Sequence, residues 1–362
     1  MKRLQLLEEL TNAPGIPGYE CDVRRCLAKA IGDTAEIAVD PLGNLICTKT
    51  GDPEGPRIML PSHMDEIGFM VNRITDEGFI KFVPLGGWWD QVMLAQRVRV
   101  RGRIGWVQGI VGSKPPHILN EEEAKKVVQK DAMFIDVGAK DKAEVEKSFG
   151  IRPGDPVVPV CDFEILQNQH VVLAKALDDR AGCAALVELL QRLNGVHHPN
   201  SVFAVGTIQE EVGLRGARTA SHSVNPDVCI ALDVGVAGDM PGVTDDESSL
   251  RLGGGPVLYL ADHSVIAHQG LRSLVMEAAE AENVPLQFST LMGGGTDAGA
   301  VHLHARGVPS LTLGVPVRYV HSSAGLMDLV DYDHLVRLLE AVIVRLDWTA
   351  VNNLVGGDEY AS

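Results

Sequence analysis

The sequence predicts an α/β protein whose layered α/β domain is interrupted by a smaller, strand-rich insert. The chain has 362 residues, which is enough for about two domains of ordinary size. Near both ends of the chain, short apolar runs alternate with segments of helical periodicity, which is typical of a layered α/β domain. Between them, from about residue 68 to 168, short strand-like segments are separated by Gly and Pro, which indicates a small β-barrel or sandwich.

The segment 1–67 is predicted to begin the α/β domain. Its elements are helices over 3–11 and 19–31, a hairpin over 35–50 and a strand over 57–61. This last strand is short and apolar, and it leads directly into Ser62, His63 and Asp65. A buried strand therefore ends at residues with ligand chemistry.

The insert, 68–168, is predicted to consist mainly of strands. They cover 69–74, 79–83, 97–100, 104–111, 133–137 and 157–160, and helices are predicted only over 120–130 and 141–148. The sequence Thr75-Asp76-Glu77-Gly78 between the first two strands is typical of a hairpin turn. We interpret this segment as a second domain.

The α/β alternation returns over 169–350, and 351–362 is predicted to be a C-terminal tail. The expected strands are 171–174, 202–208, 228–232 and 310–314, and the expected helices are 180–193, 271–282 and 332–347. Segments 1–67 and 169–350 together would form one discontinuous domain, because strands that alternate with helices pack into shared layers.

The composition excludes several classes of function. It is 45% hydrophobic and 22% charged, as in ordinary globular proteins. The formal net charge of -16 argues against nucleic acid or an anionic membrane as a partner, because both bind basic surfaces. The six cysteines form no Cys-x-x-Cys pair, and no apolar run has the length of a membrane span. We therefore expect a cytoplasmic protein with free thiols.

Acidic or histidine residues stand at the ends of apolar strands in five places. They are His63 with Asp65, Asp178 with Asp179, Glu210 with Glu211, Asp233, and His321. Because sites in open α/β sheets form at strand ends, residues that are distant in sequence can meet there. Histidine and carboxylate ligands suit zinc, cobalt or manganese.

A two-metal site needs a bridging ligand, and a carboxylate can supply one oxygen to each ion. Asp178 is well placed for this role because it opens a helix just after a strand. Of Glu210 and Glu211, we expect one to be a ligand and the other a general base.

Each of these residues also has a purely structural interpretation. The alternatives are a hydrogen-bonded interior histidine for His63, a helix cap for Asp178, a turn residue for Asp233, a surface histidine for His321, and a salt-bridged pair for Glu210 and Glu211. Five such coincidences are less probable together than any one of them alone. Spacing in the sequence does not show that the five stretches converge.

Two further loops are candidates for substrate contact. The glycines around Gly294 end at Asp297 without the Gly-Lys-Ser/Thr sequence of a phosphate-binding loop, which favours close approach of a substrate backbone over nucleotide binding. His117 lies in a Pro-rich loop of the insert that could face the substrate. Arg318 is close to His321 in sequence and is a candidate either to attract an acidic side chain or to form a structural ion pair.

Five motifs resemble those of the tetrahedral, dodecameric di-metal aminopeptidases, a family that includes glutamyl and deblocking aminopeptidases and relatives once named endoglucanases. The motifs are His63-Met64-Asp65-Glu66, Ala176-Leu177-Asp178-Asp179-Arg180, Gln209-Glu210-Glu211-Val212-Gly213, Gly293-Gly294-Gly295-Thr296-Asp297 and Arg318-Tyr319-Val320-His321-Ser322. They occur in the family's order, and the resemblance extends over nearly the whole chain.

The resemblance implies a di-zinc exopeptidase type of catalytic domain that holds two divalent metal ions, zinc or cobalt, with manganese as a further candidate. His63, Asp178 and Asp233 would bind one ion, and Asp178, Glu211 and His321 the other. Glu210 would be the general base, and Asp65 would orient His63 from behind. The insert would be a dimerisation domain, and dimers would assemble into a tetrahedral dodecamer.

The predicted function is removal of N-terminal residues from peptides, with the α-amino group held by a metal ion or by Asp297. Two alternatives differ in chemistry. A glycoside hydrolase would use paired carboxylates without metal. Another di-metal hydrolase, such as a deacylase or carboxypeptidase, would use the same ligands but would not need a free N-terminus. The preferred N-terminal side chain is left open.

Overall fold

The computed structural model describes residues 3–354 of the chain. Residues 1–2 and 355–362 lie outside this part, and so does most of the C-terminal tail that is predicted over 351–362. In residues 3–354, the strands divide between a large mixed sheet and a separate closed barrel.

The strands follow one another along the whole described chain. They are β1 (Glu36–Val39), β2 (Leu45–Thr50), β3 (Arg57–His63), β4 (Gly68–Ile74), β5 (Ile80–Leu85), β6 (Arg97–Gly102), β7 (Gly105–Gly112), β8 (Phe134–Asp136), β9 (Pro156–Pro159), β10 (Glu164–Ile165), β11 (Val171–Ala174), β12 (Ser201–Thr207), β13 (Val228–Val236), β14 (Val257–Asp262), β15 (Gln287–Leu291), β16 (Ser310–Arg318) and β17 (Gly325–Asp328).

The helices lie mainly before and after the barrel segment. They are α1 (Arg3–Asn12), α2 (Cys21–Ile31), α3 (Glu121–Ala124), α4 (Leu177–Arg192), α5 (Arg215–Val224), α6 (Gln269–Ala281), α7 (Ala298–Val301), α8 (Leu329–Ile343) and α9 (Trp348–Leu354). Within the described residues, no helix is both long and apolar enough to cross a membrane.

The large sheet brings the carboxyl ends of its central strands to one edge. Its main path is β1-β2-β12-β3-β13-β16-β17-β11-β10, and β14 pairs with β16 and carries β15. The neighbours β12, β3, β13 and β16 are parallel. Because β17 is antiparallel to both β16 and β11, the strand β11 points in the same direction as these four. Loops that follow these strands therefore meet at the same edge.

Helices cover both faces of this sheet. On one face, α4 packs against β3 and β13, and α1, α2, α6 and α8 complete the larger core. On the other face, α5 and α7 pack together over the sheet. Ile58 and Leu60 of β3 face the first core and Met59 faces the second, as expected from the alternation of side chains along a strand. Burial on both faces explains why β3 is a continuous apolar run in the sequence.

The barrel is formed by β4 to β9, which close in the order β4-β5-β8-β7-β6-β9. It has its own core, in which Phe69, Ile80, Ile135 and Val157 are fully buried. The chain leaves the large sheet after β3 and returns to it at β10. The predicted fold class, a layered α/β protein with a small barrel-like insert, is confirmed.

Some predicted elements differ from the structure. The helix predicted over 120–130 is only the single turn α3, because a capping box at Asn120 starts it but none of its residues is buried. The segment predicted as a helix over 141–148 is a π-helical turn, Glu144–Phe149. None of the elements β10, α5, β14, β15, α7, β17 and α9 was predicted from the sequence. The helix α9 includes residues 351–354, which were predicted to begin the tail. In α5, apolar residues are interrupted by Arg, Ser and Thr, so the helical pattern is weak in the sequence.

Candidate metal centre

Four of the predicted ligands come from different elements at the carboxyl edge of the large sheet. His63 is the last residue of β3, and Asp233 lies in β13, the neighbouring strand. Asp178 opens α4 after β11. His321 lies in the loop after β16, where its backbone φ is 58°. Residues from distant parts of the sequence meet here because the strands that precede them are parallel.

The first group of candidate ligands is His63, Asp178 and Asp233. One ligand atom of each lies within 4.8 Å of the others. The Nε2 atom of His63 is 2.9 Å from Oδ1 of Asp178. The other ring nitrogen of His63, Nδ1, is 3.0 Å from the main-chain oxygen of Asp65. This contact leaves Nε2 facing the carboxylates.

The second group is Asp178, Glu211 and His321, whose ligand atoms also lie within 4.8 Å of one another. The Nε2 atom of His321 is 3.5 Å from Oδ2 of Asp178 and 3.4 Å from Oε2 of Glu211. Asp178 therefore presents Oδ1 to the first group and Oδ2 to the second. A carboxylate with one oxygen in each group has the geometry of a bridging ligand.

The charge balance of these groups fits divalent cations. Burial raises the pKa of Asp233 well above its ordinary value, and the charge of Asp178 raises it further. At Asp178 burial also opposes ionisation, but the hydrogen bond from His63 and the charges of His63 and His321 together outweigh it and keep the pKa of Asp178 below its ordinary value. Several carboxylates are thus held together with too little positive charge from the protein. Together with two imidazoles, they form the nitrogen and oxygen donor set that zinc, cobalt or manganese accepts.

The adjacent residues Asp178 and Asp179, at the start of α4, make different contacts. Asp179 is buried, and its Oδ1 accepts the main-chain N–H of Gly182 at 3.0 Å. Its Oδ2 accepts the hydroxyl of Ser62 at 2.5 Å. The carboxylate of Asp178 instead lies 2.9 Å from Nε2 of His63. The helix-capping role that the sequence left open for Asp178 is therefore taken by Asp179.

Asp65 contacts both the histidine and the two glutamates. Its carboxylate accepts the main-chain N–H groups of Glu210 and Glu211, at 3.0 and 3.1 Å. The same carboxylate is 3.7 Å from Nδ1 of His63, which is farther than the main-chain oxygen. Asp65 is fully buried, and burial raises its pKa to about 7. The sequence suggested contact with His63, but it held no sign that Asp65 also holds the Glu210–Glu211 backbone in place.

Glu210 lies beside the two ligand groups and lines the same cleft. Its side chain is largely buried. Burial raises the pKa of Glu210 well above its ordinary value; His63 opposes this shift, and Asp233 and Asp297 strengthen it. A carboxylate with a raised pKa at the edge of a cleft suits transfer of a proton to and from substrate.

The barrel reaches this site through the loop after β5. The main-chain oxygen of Gly87 is 3.0 Å from Nδ1 of His321. A Cβ atom at Gly87 would lie only 2.6 Å from the same nitrogen, so glycine is needed for the close approach. The carbonyl leaves Nε2 of His321 free for the carboxylates. The glycines at 86–87 are visible in the sequence, but nothing there connects them with His321.

A buried charge cluster supports the segment that carries Asp178. Both carboxylate oxygens of Glu66 accept hydrogen bonds from Nζ of Lys175, at 2.6 and 2.7 Å. The guanidinium of Arg180 donates to the main-chain oxygens of Leu10 and Ala13 and lies 3.7 Å from Glu66. Lys175 and Arg180 flank Asp178 in sequence. They therefore tie its segment to the loop after α1.

The ligand groups line a cleft of about 600 Å³. Gly294 lines the cleft. Asp297 does not line it: this residue is buried, one oxygen accepts the hydroxyl of Thr207, and the other has no hydrogen-bond partner among residues 3–354. Burial raises the pKa of Asp297 to about 6.

The last two substrate candidates of the sequence stand apart from the ligands. Arg318 donates from Nε to Oδ1 of Asp239 at 2.8 Å, and its second contact, at 2.5 Å, goes to Oδ2 of the same residue. Neither residue lines the cleft. His117 is exposed in the loop between β7 and α3, and it does not line the cleft either.

Comparison with known proteins identifies relatives over nearly the whole chain. The family model described as M42 glutamyl aminopeptidase matches residues 43–338. The glutamyl aminopeptidase of Lactococcus lactis is 35% identical over 96% of this chain and 97% of its own length. The lysyl aminopeptidase of Pyrococcus furiosus is 33% identical over 94% and 97%, respectively.

Solved structures show the same similarity. A TET aminopeptidase from a marine sediment archaeon, Thaumarchaeota archaeon SCGC AB-539-E09, superposes with a TM-score of 0.95 and 43% identity over 97% of this chain and 98% of that one. The TET1 peptidase of Pyrococcus horikoshii, which assembles into a tetrahedron or a large octahedral shell, has a TM-score of 0.85 and 35% identity over 95% and 100% of the two chains.

Proposed function

Since this chain belongs to the M42 glutamyl aminopeptidase family and is a metal-dependent aminopeptidase, we propose that it hydrolyses the first peptide bond of peptides with two divalent metal ions as its cofactor. One observation carries the proposal: Asp178 offers one oxygen to each of two ligand groups, and the atoms within each group lie within 4.8 Å of one another. Zinc and cobalt are the proposed ions, and the same donor set accepts manganese.

The proposed ligands fall into two sets. His63 and Asp233 would hold one ion, Glu211 and His321 would hold the other, and Asp178 would bridge them. When bound, the ions would polarise the scissile carbonyl and lower the pKa of a water molecule to about 7. Asp65 would position both glutamates through their main-chain N–H groups.

Glu210 is the proposed general base. It would accept the proton of the attacking water and then deliver it to the amine that leaves. Two observations support this role: Glu210 lines the cleft beside both ligand groups, and it belongs to neither group of candidate ligands. Asp297 lies behind the cleft wall, so it would act on the substrate's amino group only through neighbouring groups. We therefore assign the amino group to the metal centre.

Glu210→Gln and Glu211→Gln form a matched pair, because the two residues are adjacent and their main-chain N–H groups donate to the same carboxylate, that of Asp65. Glu210→Gln should keep two equivalents of metal and lose about 10²–10⁴-fold in kcat, the range for loss of a general base. Glu211→Gln should lose about one equivalent of metal. Metal analysis and anilide hydrolysis measure both. Normal turnover by Glu210→Gln would refute its assignment as the base.

The alternatives differ in simple measurements. Removal of metal by a chelator should abolish activity, and zinc or cobalt should restore it, whereas a glycoside hydrolase with paired carboxylates needs no metal. Acetylation of a test peptide's N-terminus should stop hydrolysis, whereas a carboxypeptidase would continue. Failure of either expectation would favour the corresponding alternative.

We also propose that the chain is a homo-oligomer in which the barrel forms the dimer contact, and that dimers build a tetrahedral dodecamer. The assembly of the Pyrococcus horikoshii relative supports this. So do the large apolar residues that the barrel exposes, among them Trp89, Ile104 and Ile118. Light scattering should give twelve times the mass of the 38.9-kDa chain. A monomer would refute the proposal.

The proposed location is the cytoplasm. All six cysteines are free thiols, and Cys47, Cys183 and Cys229 are buried. Unpaired thiols persist in reducing compartments, where disulfides are rare.

A further inference from the structure

The part of the cleft that the ligands and the base do not occupy is mainly apolar. Its aliphatic side chains are Leu214, Val234, Val236, Leu291 and Val320. Most of the remaining wall is glycine, with Ser264 and His263 as its polar side chains. An aminopeptidase holds the substrate's amino group close to its metal centre. The side chain of the first residue must then lie against the wall next to the ligands.

Two leucines and the glycine loop between them shape this wall. A Cβ atom added at Gly294 would lie 3.1 Å from Cδ2 of Leu291. One added at Gly295 would lie 3.0 Å from Oγ of Ser264 and 3.9 Å from Cδ1 of Leu214. The loop therefore passes between Leu291 and Leu214 without side chains of its own. The space that it leaves open is bordered by the methyl groups of the two leucines and by the hydroxyl of Ser264.

An acidic side chain would meet no permanently charged cation in this cleft. Among the described residues that line it, none is Lys or Arg. Arg318, the cation closest to His321 in sequence, has its guanidinium engaged by Asp239. Away from the proposed ligands, the wall offers a carboxylate only the side chains of His263 and Ser264. A carboxylate in this space would therefore lose its hydration without gaining an ion pair with Lys or Arg, which is unfavourable.

A basic side chain also finds no free carboxylate among the described residues that line the cleft. The carboxylates that line the cleft are the proposed ligands and the proposed base. Asp262, just behind the wall, is buried and accepts hydrogen bonds from Ser264 and Thr296. A lysine or arginine side chain would therefore have to compete with the metal ions for its counter-charge.

We propose that this cleft selects peptides whose first residue has a neutral, apolar side chain of about the size of leucine. The inference rests on the proposed function and deepens it. It sets this chain apart from the Lactococcus and Pyrococcus furiosus relatives, whose names refer to glutamyl and lysyl residues.

The first test compares Leu, Ala, Glu and Lys anilides with the zinc- or cobalt-loaded full chain. The kcat/KM for Leu should exceed that for Ala by about tenfold or more, because methylene groups in an apolar pocket discriminate by that amount. It should exceed the values for Glu and Lys by about a hundredfold, because their charges would be desolvated without a partner. A Glu or Lys substrate that is cleaved as fast as the Leu substrate would overturn the inference.

The second test introduces a cation into the wall. Val236 lines the cleft and is 41% exposed, so Val236→Arg can extend its charge without burying it. This variant should raise the ratio of Glu to Leu hydrolysis by about tenfold or more, as an opposite charge in the pocket removes the penalty. Val196→Arg is the matched control, because Val196 is 40% exposed and lies outside the cleft lining. An unchanged ratio in Val236→Arg would contradict the assignment of this wall to the first side chain.

Failure of the proposed function can be told apart from failure of this inference. If no anilide is cleaved at all, the proposed function fails. Calorimetry with leucinamide, glutamic acid α-amide and lysinamide then decides the inference alone. Tighter binding of leucinamide would support the apolar cleft, and equal or weaker binding would refute it.

Discussion

The two groups of candidate ligands share Asp178 but are built in different ways. In the first group, His63 and Asp233 belong to neighbouring strands of the large sheet, and the side chain of His63 is only 3% exposed. In the second group, His321 and Glu211 lie in loops, and the side chain of His321 is 39% exposed. The ring of His321 is also held by Gly87, which comes from the barrel segment.

The two groups of ligands are therefore positioned by different parts of the structure. Strand pairing places the first group, so the register of β3 and β13 determines the distance between its ligands. The second group depends on the two loops that carry Glu211 and His321. It also depends on Gly87, which lies after β5 in the barrel segment and contacts His321. The insert therefore helps to position a candidate metal ligand, His321, in addition to its proposed role in oligomer assembly.

Removal of the shared ligand should have the largest effect. Asp178→Ala takes one oxygen from each group, so we expect loss of both metal equivalents and a fall in activity of about 10³-fold or more. Metal analysis and anilide hydrolysis measure these. Circular dichroism of the metal-free proteins is the control for folding, and thermal unfolding should give a lower Tm for the variant, because it loses the hydrogen bond between Asp178 and the buried His63. Retention of one tightly bound equivalent would show that Asp178 is not shared.

Loss of the buried ion pair between Lys175 and Glu66 should have the next largest effect. Lys175→Met leaves Glu66 buried without its main counter-charge, so the free energy of unfolding should fall by about 3–5 kcal/mol. Both groups should weaken together, because the segment with Asp178 is common to them. Denaturant unfolding and metal titration test this.

The double variant Lys175→Met with Glu66→Gln is the matched control for the charge effect. It removes both charges of the pair, so most of the lost stability should return. If the double variant is as unstable as Lys175→Met, packing of the lysine chain and not its charge supports the segment.

A change at the barrel loop should affect the second group alone. In Gly87→Ala the new methyl group would lie 2.6 Å from Nδ1 of His321, so His321 must move. We expect about 10–100-fold weaker binding of one metal equivalent, as found when the partner of a metal-bound histidine is lost. The other equivalent should bind as before. Calorimetric titration with zinc measures both.

Gly293→Ala is the control for the effect of a methyl group on metal binding. A Cβ atom at Gly293 would meet no atom within 4 Å, and its backbone is not in the left-handed region. Its metal affinity should equal that of the wild type. Equal weakening of both equivalents in Gly87→Ala would contradict the division of the site into two groups.

Strands of the central sheet were predicted well from the sequence, and the peripheral elements were not. β3, β11, β12 and β13 are apolar because they are buried, so local composition reports their structure. β15 alternates between exposed and half-buried residues and has only one strand beside it. Its sequence therefore carries little hydrophobic signal. Strands of this kind are recognised only from the strand with which they pair in the structure.

In the candidate site, too, some features were predictable from local sequence and others were not. The sequence by itself determined the ligand chemistry, because His63, Asp178, Glu211, Asp233 and His321 each follow or end an apolar segment or lie close behind one. These signals are local. Parallel strand order brings their carboxyl ends to one edge, so the residues could be named before their convergence was seen.

Only the tertiary structure decided what surrounds these ligands. The contact of Gly87 with His321 joins residues 234 positions apart in sequence, and Arg318 is engaged by Asp239 from 79 positions away. The apolar wall likewise combines residues from several loops and strands. Hydrophobic periodicity reports whether a residue is buried, but it does not report which distant residue it contacts. That information arises only when the strands pair and the loops between them take their positions.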